Sequence, residues 1–270
     1  MMGNVFVEAR DVKKEGRFID TRFNLQDKQW GQLAFNEEHI EGAIYWDLEK
    51  HLSDLSKSEG RHPMPSKETL KQLFETAGLS LHDLIYIYDQ GAAPFAARAW
   101  WMLKYANFPN VFIVNGGYDA LKEVGFAATN EIETYEPTIL ELEWNDSIYA
   151  NRQDVKNIVD GKDEATLVDA RAAIRYRGEN ETIDVKAGHI PTAKNFDWEQ
   201  LKDGTKLKAS EQLLNKFPKV EELVVYCGSG VTASPLYAVL AESGYENIRL
   251  YVGSFSDWIT QYDIETGENK

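Results

Sequence analysis

The order of short motifs in the first half of this 270-residue chain recurs in its second half. Phe18-Ile-Asp20-Thr-Arg22 is followed by Glu38-His39-Ile40-Glu-Gly-Ala43, and Leu167-Val-Asp169-Ala-Arg171 by Gly188-His189-Ile190-Pro-Thr-Ala193. The first half continues with the apolar run Leu84–Tyr88, then Asp89-Gln-Gly91, a helical stretch Pro94–Tyr105, the run Val111–Val114 and Gly116-Gly117-Tyr118. Its counterpart is Leu223–Tyr226, Cys227-Gly228, a helical stretch to Ser243, the run Ile248–Val252 and Gly253-Ser254-Phe255. One His-Ile pair recurs by chance; a whole series of elements in the same order does not. The chain must therefore build one kind of unit twice. Short β-prone runs alternating with helical stretches make each unit α/β, a mainly parallel sheet flanked by helices. The acidic stretch between Ala127 and Tyr149 contains Pro137 and no helical period, so it reads as a connection. The expected division is 1–130, a linker over 131–149, and 150–270.

The halves differ where chemistry is most easily housed. Cys227, the only cysteine, ends an uncharged strand and precedes Gly228-Ser229-Gly230, with a helix beginning at Thr232. The first half has Asp89 there instead. Glycines let the backbone turn tightly, Pro235 is tolerated in the first helical turn, and Gly244 is the stop. A thiol so placed faces free backbone N–H groups and a helix N-terminus, which favour the nucleophilic thiolate. A lone cysteine is often a small buried hydrophobe, yet a core position needs no Gly-Ser-Gly after it. A nucleophile must also be reachable, so a thiol sealed from solvent and held protonated would overturn this reading. The same residues fit G-x-G-x-x-A, but the next strand ends in Val252-Gly253 and not in the acid that a dinucleotide site expects. A membrane-spanning helix is disfavoured by the glycines, hydroxyls and proline in the run.

Composition narrows the partners. A formal charge of −15 argues against nucleic acid and anionic membranes, and it obliges any site for an anionic substrate to build a local positive patch. One cysteine excludes an internal disulfide and a cysteine-based zinc cluster, and no secretory signal is visible at the start. Cytoplasmic placement, with no metal and no cofactor, is the expectation.

The matched residues Asp169-Ala-Arg171, Gly188-His189-Ile190-Pro191, Cys227-Gly-Ser-Gly-Val-Thr-Ala233 and Gly253-Ser-Phe-Ser-Asp-Trp258 resemble the two-domain rhodanese-like sulfurtransferases along essentially the whole chain. The heptapeptide CGSGVTA is similar to the loop of the 3-mercaptopyruvate sulfurtransferases, whereas thiosulfate-preferring relatives carry Arg and Lys after the cysteine. The resemblance implies two tandem rhodanese-like domains, the first inactive, and a Cys227 persulfide formed as pyruvate leaves. Loop N–H groups of Gly228, Gly230, Val231 and Thr232 would steady the sulfur anions. With no second cysteine, an external thiol (thioredoxin or a small thiol) or cyanide must take the sulfur.

The resemblance also assigns supporting residues. Arg175 matches the arginine that binds the substrate carboxylate, a role suited to a planar bidentate donor. A second such arginine is missing before Gly188, with Arg177 or Lys186 as substitutes. Asp47, His62 and Ser229 match an acid–base trio, against which His62 reads equally as a loop histidine beside Pro63. His39, His189 and Arg171 are expected to be structural. The interval from His39 to Asp89 is longer than that from His189 to Cys227, and this insertion, with Asp47, Arg61 and His62, is expected to reach across an interdomain cleft. A cysteine phosphatase on the same fold needs an arginine where Ala233 stands. Thiosulfate as main donor, a non-catalytic binding module and a Cys-His-Asp hydrolase are the other rivals.

Overall fold

A computed structural model, which describes residues 5–268, gives both halves a five-stranded sheet of one topology. The first sheet runs Phe6–Glu8, Val111–Asn115, Ile85–Tyr88, Arg17–Asp20, Ala43–Tyr45 from edge to edge. The second runs Tyr149–Ala150, Ile248–Tyr251, Glu222–Tyr226, Ala165–Asp169, Lys194–Asn195. Every pairing within these two sheets is parallel. The central strands Ile85–Tyr88 and Glu222–Tyr226 are apolar nearly throughout because both faces are covered.

The recurring motifs turn out to be recurring hydrogen bonds. Tyr88 Oη accepts from the Ile40 N–H at 3.2 Å, and Tyr226 Oη from the Ile190 N–H at 3.2 Å. Arg22 folds back on Asp20 and donates to Glu38 O at 2.7 Å; Arg171 folds back on Asp169 and donates to Gly188 O at 2.7 Å. His39 stacks on Phe35 and His189 on Tyr176, each with ring centroids 3.8 Å apart and each fully buried. Their Nδ1 atoms donate to the Phe35 and Tyr176 carbonyls. Buried backbone groups need partners, and these side chains supply them at each strand-to-turn corner. The structural reading of His39, His189 and Arg171 agrees with these contacts.

The helices that follow the two central loops, Phe95–Tyr105 and Ala233–Glu242, pack across the boundary through Trp100, Trp101 and Tyr237. One apolar core continues from Ile19 and Ile87 through to Val225, Cys227 and Leu236. The stretch from 131 to 144 lacks regular structure yet is bound as a strap along the first unit. Tyr135 Oη donates to Gly42 O at 2.8 Å, Thr138 Oγ1 to Leu79 O at 2.7 Å, and Leu140 N to Glu75 Oε1 at 2.8 Å.

Each unit also lends the other an arm. The inserted segment 59–62 crosses to the second unit, where Gly60 lies on Gly253 and Ser256, and the Arg61 N–H donates to Ser256 Oγ at 3.1 Å. In return, the hairpin Lys202–Asp203 with Lys206–Leu207 crosses to the first unit. There Leu207 N donates to Asn115 Oδ1 at 2.9 Å, and Thr205 packs on Gly91.

Candidate active site

Cys227 stands at the carboxyl end of the central strand Glu222–Tyr226. Its Sγ accepts a hydrogen bond from the Gly230 N–H at 3.1 Å. Its own N–H donates to Ser254 Oγ at 3.1 Å, and that hydroxyl donates onward to Tyr251 O at 2.8 Å. Ser254 keeps this place with φ +58°, a strained conformation for a side-chain-bearing residue. Gly230 takes φ +76°, and a Cβ there would collide with Val252 O. Among the described residues, no hydrogen bond uses the N–H of Ser229, Val231 or Thr232, so these remain aimed from the loop and helix start. Thr232 is the N-cap of the Ala233–Glu242 helix.

The insertion brings the rest of the site from the first unit. His62 Nδ1 lies 2.8 Å from Ser229 Oγ, and both residues are buried. Burial, with the Arg98, Arg61 and Lys28 charges, pulls the His62 imidazole down to about 3, so it is neutral at physiological pH. Behind it, the buried Arg98 donates to Leu52 O and, at 2.9 Å, to His62 O, which fixes the course of the crossing segment. Burial draws the Arg98 guanidinium down to about 10.

Asp47 does not join His62. Its carboxylate accepts from the Glu49 and Lys50 N–H groups at 2.8 and 3.0 Å, and its own N–H donates to His51 Nδ1. Asp47 thus caps a turn, and the carboxylate beside His62 Nε2, at 3.9 Å, is that of Glu49. The expected trio is a pair, Ser229 and His62, with a different acid.

The cations expected at a substrate carboxylate are not all brought to the loop. Arg177 is turned to Glu179 and Glu268 at the surface, and Lys186 donates to Tyr262 O at 3.1 Å. The second cation over the loop is Arg61. A Cβ built on Gly228 would stand 2.5 Å from Arg61 Nη2 and 3.6 Å from Arg175 Nη2, so both guanidiniums lie over this residue. Arg175 binds Glu181 through Nε and Nη2, each at 2.9 Å, and Asp184 through Nη2 at 3.0 Å. Arg61 Nη1 binds the other oxygen of Asp184. Glu181 in turn meets Arg171 at 3.4 Å. Cys227 is 1% exposed, so the thiol expected to be reachable is closed off from solvent in this state. A cavity of about 330 Å³ beside the crossing is lined by Glu59, Arg152, Gly253 and Asp257, not by Cys227.

Residue type alone gave no sign of Asp184 or Glu181, because acids in a −15 chain carry no signal of their own. Arg61 had one, its place in the insertion expected to cross the cleft.

Comparison with known proteins places this geometry. The model of the rhodanese-like domain matches residues 6–123 and again 151–261. A probable 3-mercaptopyruvate sulfurtransferase of Pseudomonas aeruginosa is 37% identical over 262 residues, covering 93% of this chain and 92% of that protein. A putative thiosulfate sulfurtransferase of Mycobacterium tuberculosis is 35% identical, covering 89% and 86%. Among solved structures, the 3-mercaptopyruvate sulfotransferase SseA from Escherichia coli superposes with a TM-score of 0.80 at 27% identity, covering 94% of this chain and 100% of that one. The 3-mercaptopyruvate sulfurtransferase from Leishmania major shares the fold, with a TM-score of 0.83 at 24% identity, covering 96% and 75%.

Proposed function

This chain belongs to the rhodanese-like domain family and carries two copies of the domain, and from that premise we propose that it moves sulfur from 3-mercaptopyruvate through Cys227 to an external thiol. The observation that carries the reading is the Cys227 sulfur held by the Gly230 N–H beside the buried Ser229–His62 pair. The Cys227 thiolate attacks the substrate sulfur. An S–S bond forms, the C3–S bond breaks, and its electron pair stays on C3 as the enolate of pyruvate. The proton of the substrate thiol passes through Ser229 and His62 and is returned to C3, so no outside acid is consumed. A neutral imidazole can pass a proton on without becoming charged, taking it at one ring nitrogen as the other gives one up. Cys227 is left as a persulfide, its outer sulfur facing the loop amides. An incoming thiolate then takes that sulfur, forming its own persulfide and releasing the Cys227 thiolate. No second cysteine exists in the chain to do this, so the acceptor is another molecule, a small thiol or a thioredoxin-type dithiol.

Arg175 and Arg61 supply the positive patch that a 2-oxo acid needs on a protein of net charge −15. Thiosulfate is the rival donor, and a relative's name favours it. The deciding measurement is pyruvate release from mercaptopyruvate against sulfite release from thiosulfate, for the wild type and for Cys227→Ser. Equal or faster turnover of thiosulfate overturns the donor assignment. Intact mass after donor treatment should rise by one sulfur in the wild type and not in the variant.

A further inference from the structure

The carboxylate of Asp184 has the environment expected of a substrate carboxylate. One oxygen is bound by Arg61 from the first unit and the other by Arg175 from the second, at 3.0 Å. Both guanidiniums lie directly over Gly228, the residue after the nucleophile. The Asp184 side chain is 3% exposed, while its neighbours Ile183 and Val185 are 57% and 94% exposed. A segment that turns two apolar side chains outward and one carboxylate inward is held to the second unit's neighbouring arginine and to the first unit through that carboxylate. The segment has no regular secondary structure, and its backbone contacts here run to Glu181, whose Oε1 accepts from the Ile183 and Asp184 N–H groups. Glu181 therefore stays with Arg175 and Arg171 as a fixed counter-charge, while Asp184 is carried on the exposed strip beyond it.

We propose that Asp184 is an internal occupant of a two-arginine carboxylate clamp, built across the domain boundary by Arg61 and Arg175, and that a substrate carboxylate binds by displacing it. This deepens the sulfur-transfer reading and rests on it for the identity of the substrate. A 2-oxo acid brings one carboxylate and removes one from the guanidiniums, so the local charge is conserved in the exchange. A donor without an anionic group has nothing to offer the arginines in place of Asp184. The occupant thereby acts as a specificity element: it holds the two arginines over Gly228 until an anion of matching shape arrives. Its cost is affinity, because the apparent dissociation constant rises as the clamp-free fraction falls.

Replacing the carboxylate by its isosteric amide tests this. Asp184→Asn keeps the shape and weakens the hold on both arginines, so KM for mercaptopyruvate should fall about tenfold with kcat little changed, a difference of about 1.4 kcal/mol. Pyruvate, the product and a plain 2-oxo acid, should bind the variant about tenfold more tightly by calorimetry, which reads the clamp without any turnover. Arg61→Ala should weaken pyruvate binding in both backgrounds. An unchanged or raised KM and pyruvate dissociation constant in Asp184→Asn would overturn the proposal, since Asp184 would then be organising the arginines, not competing for them. Asp184→Ser, with a side chain too short to reach both guanidiniums, repeats the test should the amide fail to fold. If the wild type forms no Cys227 persulfide from mercaptopyruvate, the sulfur-transfer reading fails, while the pyruvate titration still decides the clamp.

Discussion

Ser229→Ala should separate the two sulfur donors at one nucleophile. Mercaptopyruvate leaves as a carbanion equivalent and must be protonated at C3; thiosulfate leaves as sulfite, which needs no proton. The hydroxyl of Ser229 lies 2.8 Å from His62 Nδ1, where both residues are buried. Positioned proton transfer contributes about 10²–10⁴-fold, so kcat on mercaptopyruvate should fall by that much and kcat on thiosulfate by less than about threefold. Removing the hydroxyl also leaves a buried ring nitrogen unpaired, at a stability cost of about 1–3 kcal/mol, so rates must be compared where circular dichroism shows both proteins folded. The assay pairs pyruvate release with sulfite release, under saturating donor and one common acceptor. Because His62 is held neutral down to about pH 3, kcat on mercaptopyruvate should show no imidazole titration near its ordinary value of about 6.5. Equal losses on both donors would refute the proton route. So would an acid limb between pH 6 and 7 that disappears in His62→Gln, because the ring would then titrate normally.

Gly230→Ala places a methyl against Val252 O at a φ of +76°, and should cost about 2–4 kcal/mol in stability and slow thiolate alkylation at pH 7; an unchanged melting temperature and alkylation rate would refute the cradle. Burial depresses the His62 pKa in the folded chain from 6.5 to about 3, so the unfolded chain binds the extra proton first. That contribution to stability is complete above about pH 6.5 and is lost as pH falls toward 3, up to a few kcal/mol, and urea titrations should show a shallower acid loss in His62→Gln. Arg175→Ala should raise KM for mercaptopyruvate strongly, while Arg177→Ala, whose partners are Glu179 and Glu268, should leave it unchanged in steady-state assays.

The fold was legible because it is written twice. Asp20-Thr-Arg22 and Asp169-Ala-Arg171 fold back on themselves in the same way, and the His39 and His189 corners are superimposable in their contacts. Repetition separates residues that serve the scaffold from those that do not, and Cys227 against Asp89 is the difference it exposes. The Ser229–His62 contact came from a family resemblance, and local spacing would not have yielded it, because the two residues lie 167 positions apart. Asp47 is held apart from that contact. The resemblance placed it with His62, but its carboxylate is spent on the N–H groups of Glu49 and Lys50, a local capping role that an aspartate fills readily. Arg61 lies in the first unit, far in sequence from Gly228, and only the domain crossing brings its charge to the loop. The strap from 131 to 144 looked like a free connection, since hydrogen bonds from Tyr135 and Thr138 to distant carbonyls leave no periodic trace.

The two loops differ in what fills them. In the first, the Asp89 carboxylate accepts from the Gly91 N–H at 2.9 Å and from Ala96 at 3.1 Å, at the start of the Phe95–Tyr105 helix. An anion cradle is thus filled permanently by a side chain of its own loop, and burial lifts that carboxyl to about 6. Thr205, on the hairpin lent by the second unit, packs on Gly91 and closes the approach. In the second loop the cradle holds the Cys227 sulfur, and the covering anion, Asp184, sits on a different segment, gripped by arginines and not by the loop amides. Each loop therefore gives at least one amide to an anion or a sulfur, and each is met by an arm from across the boundary, Thr205 at the first and Arg61 at the second. What distinguishes them is detachability. Asp89 cannot leave without unmaking its loop, whereas Asp184 can exchange its two arginines for another carboxylate and leave the sulfur cradle intact.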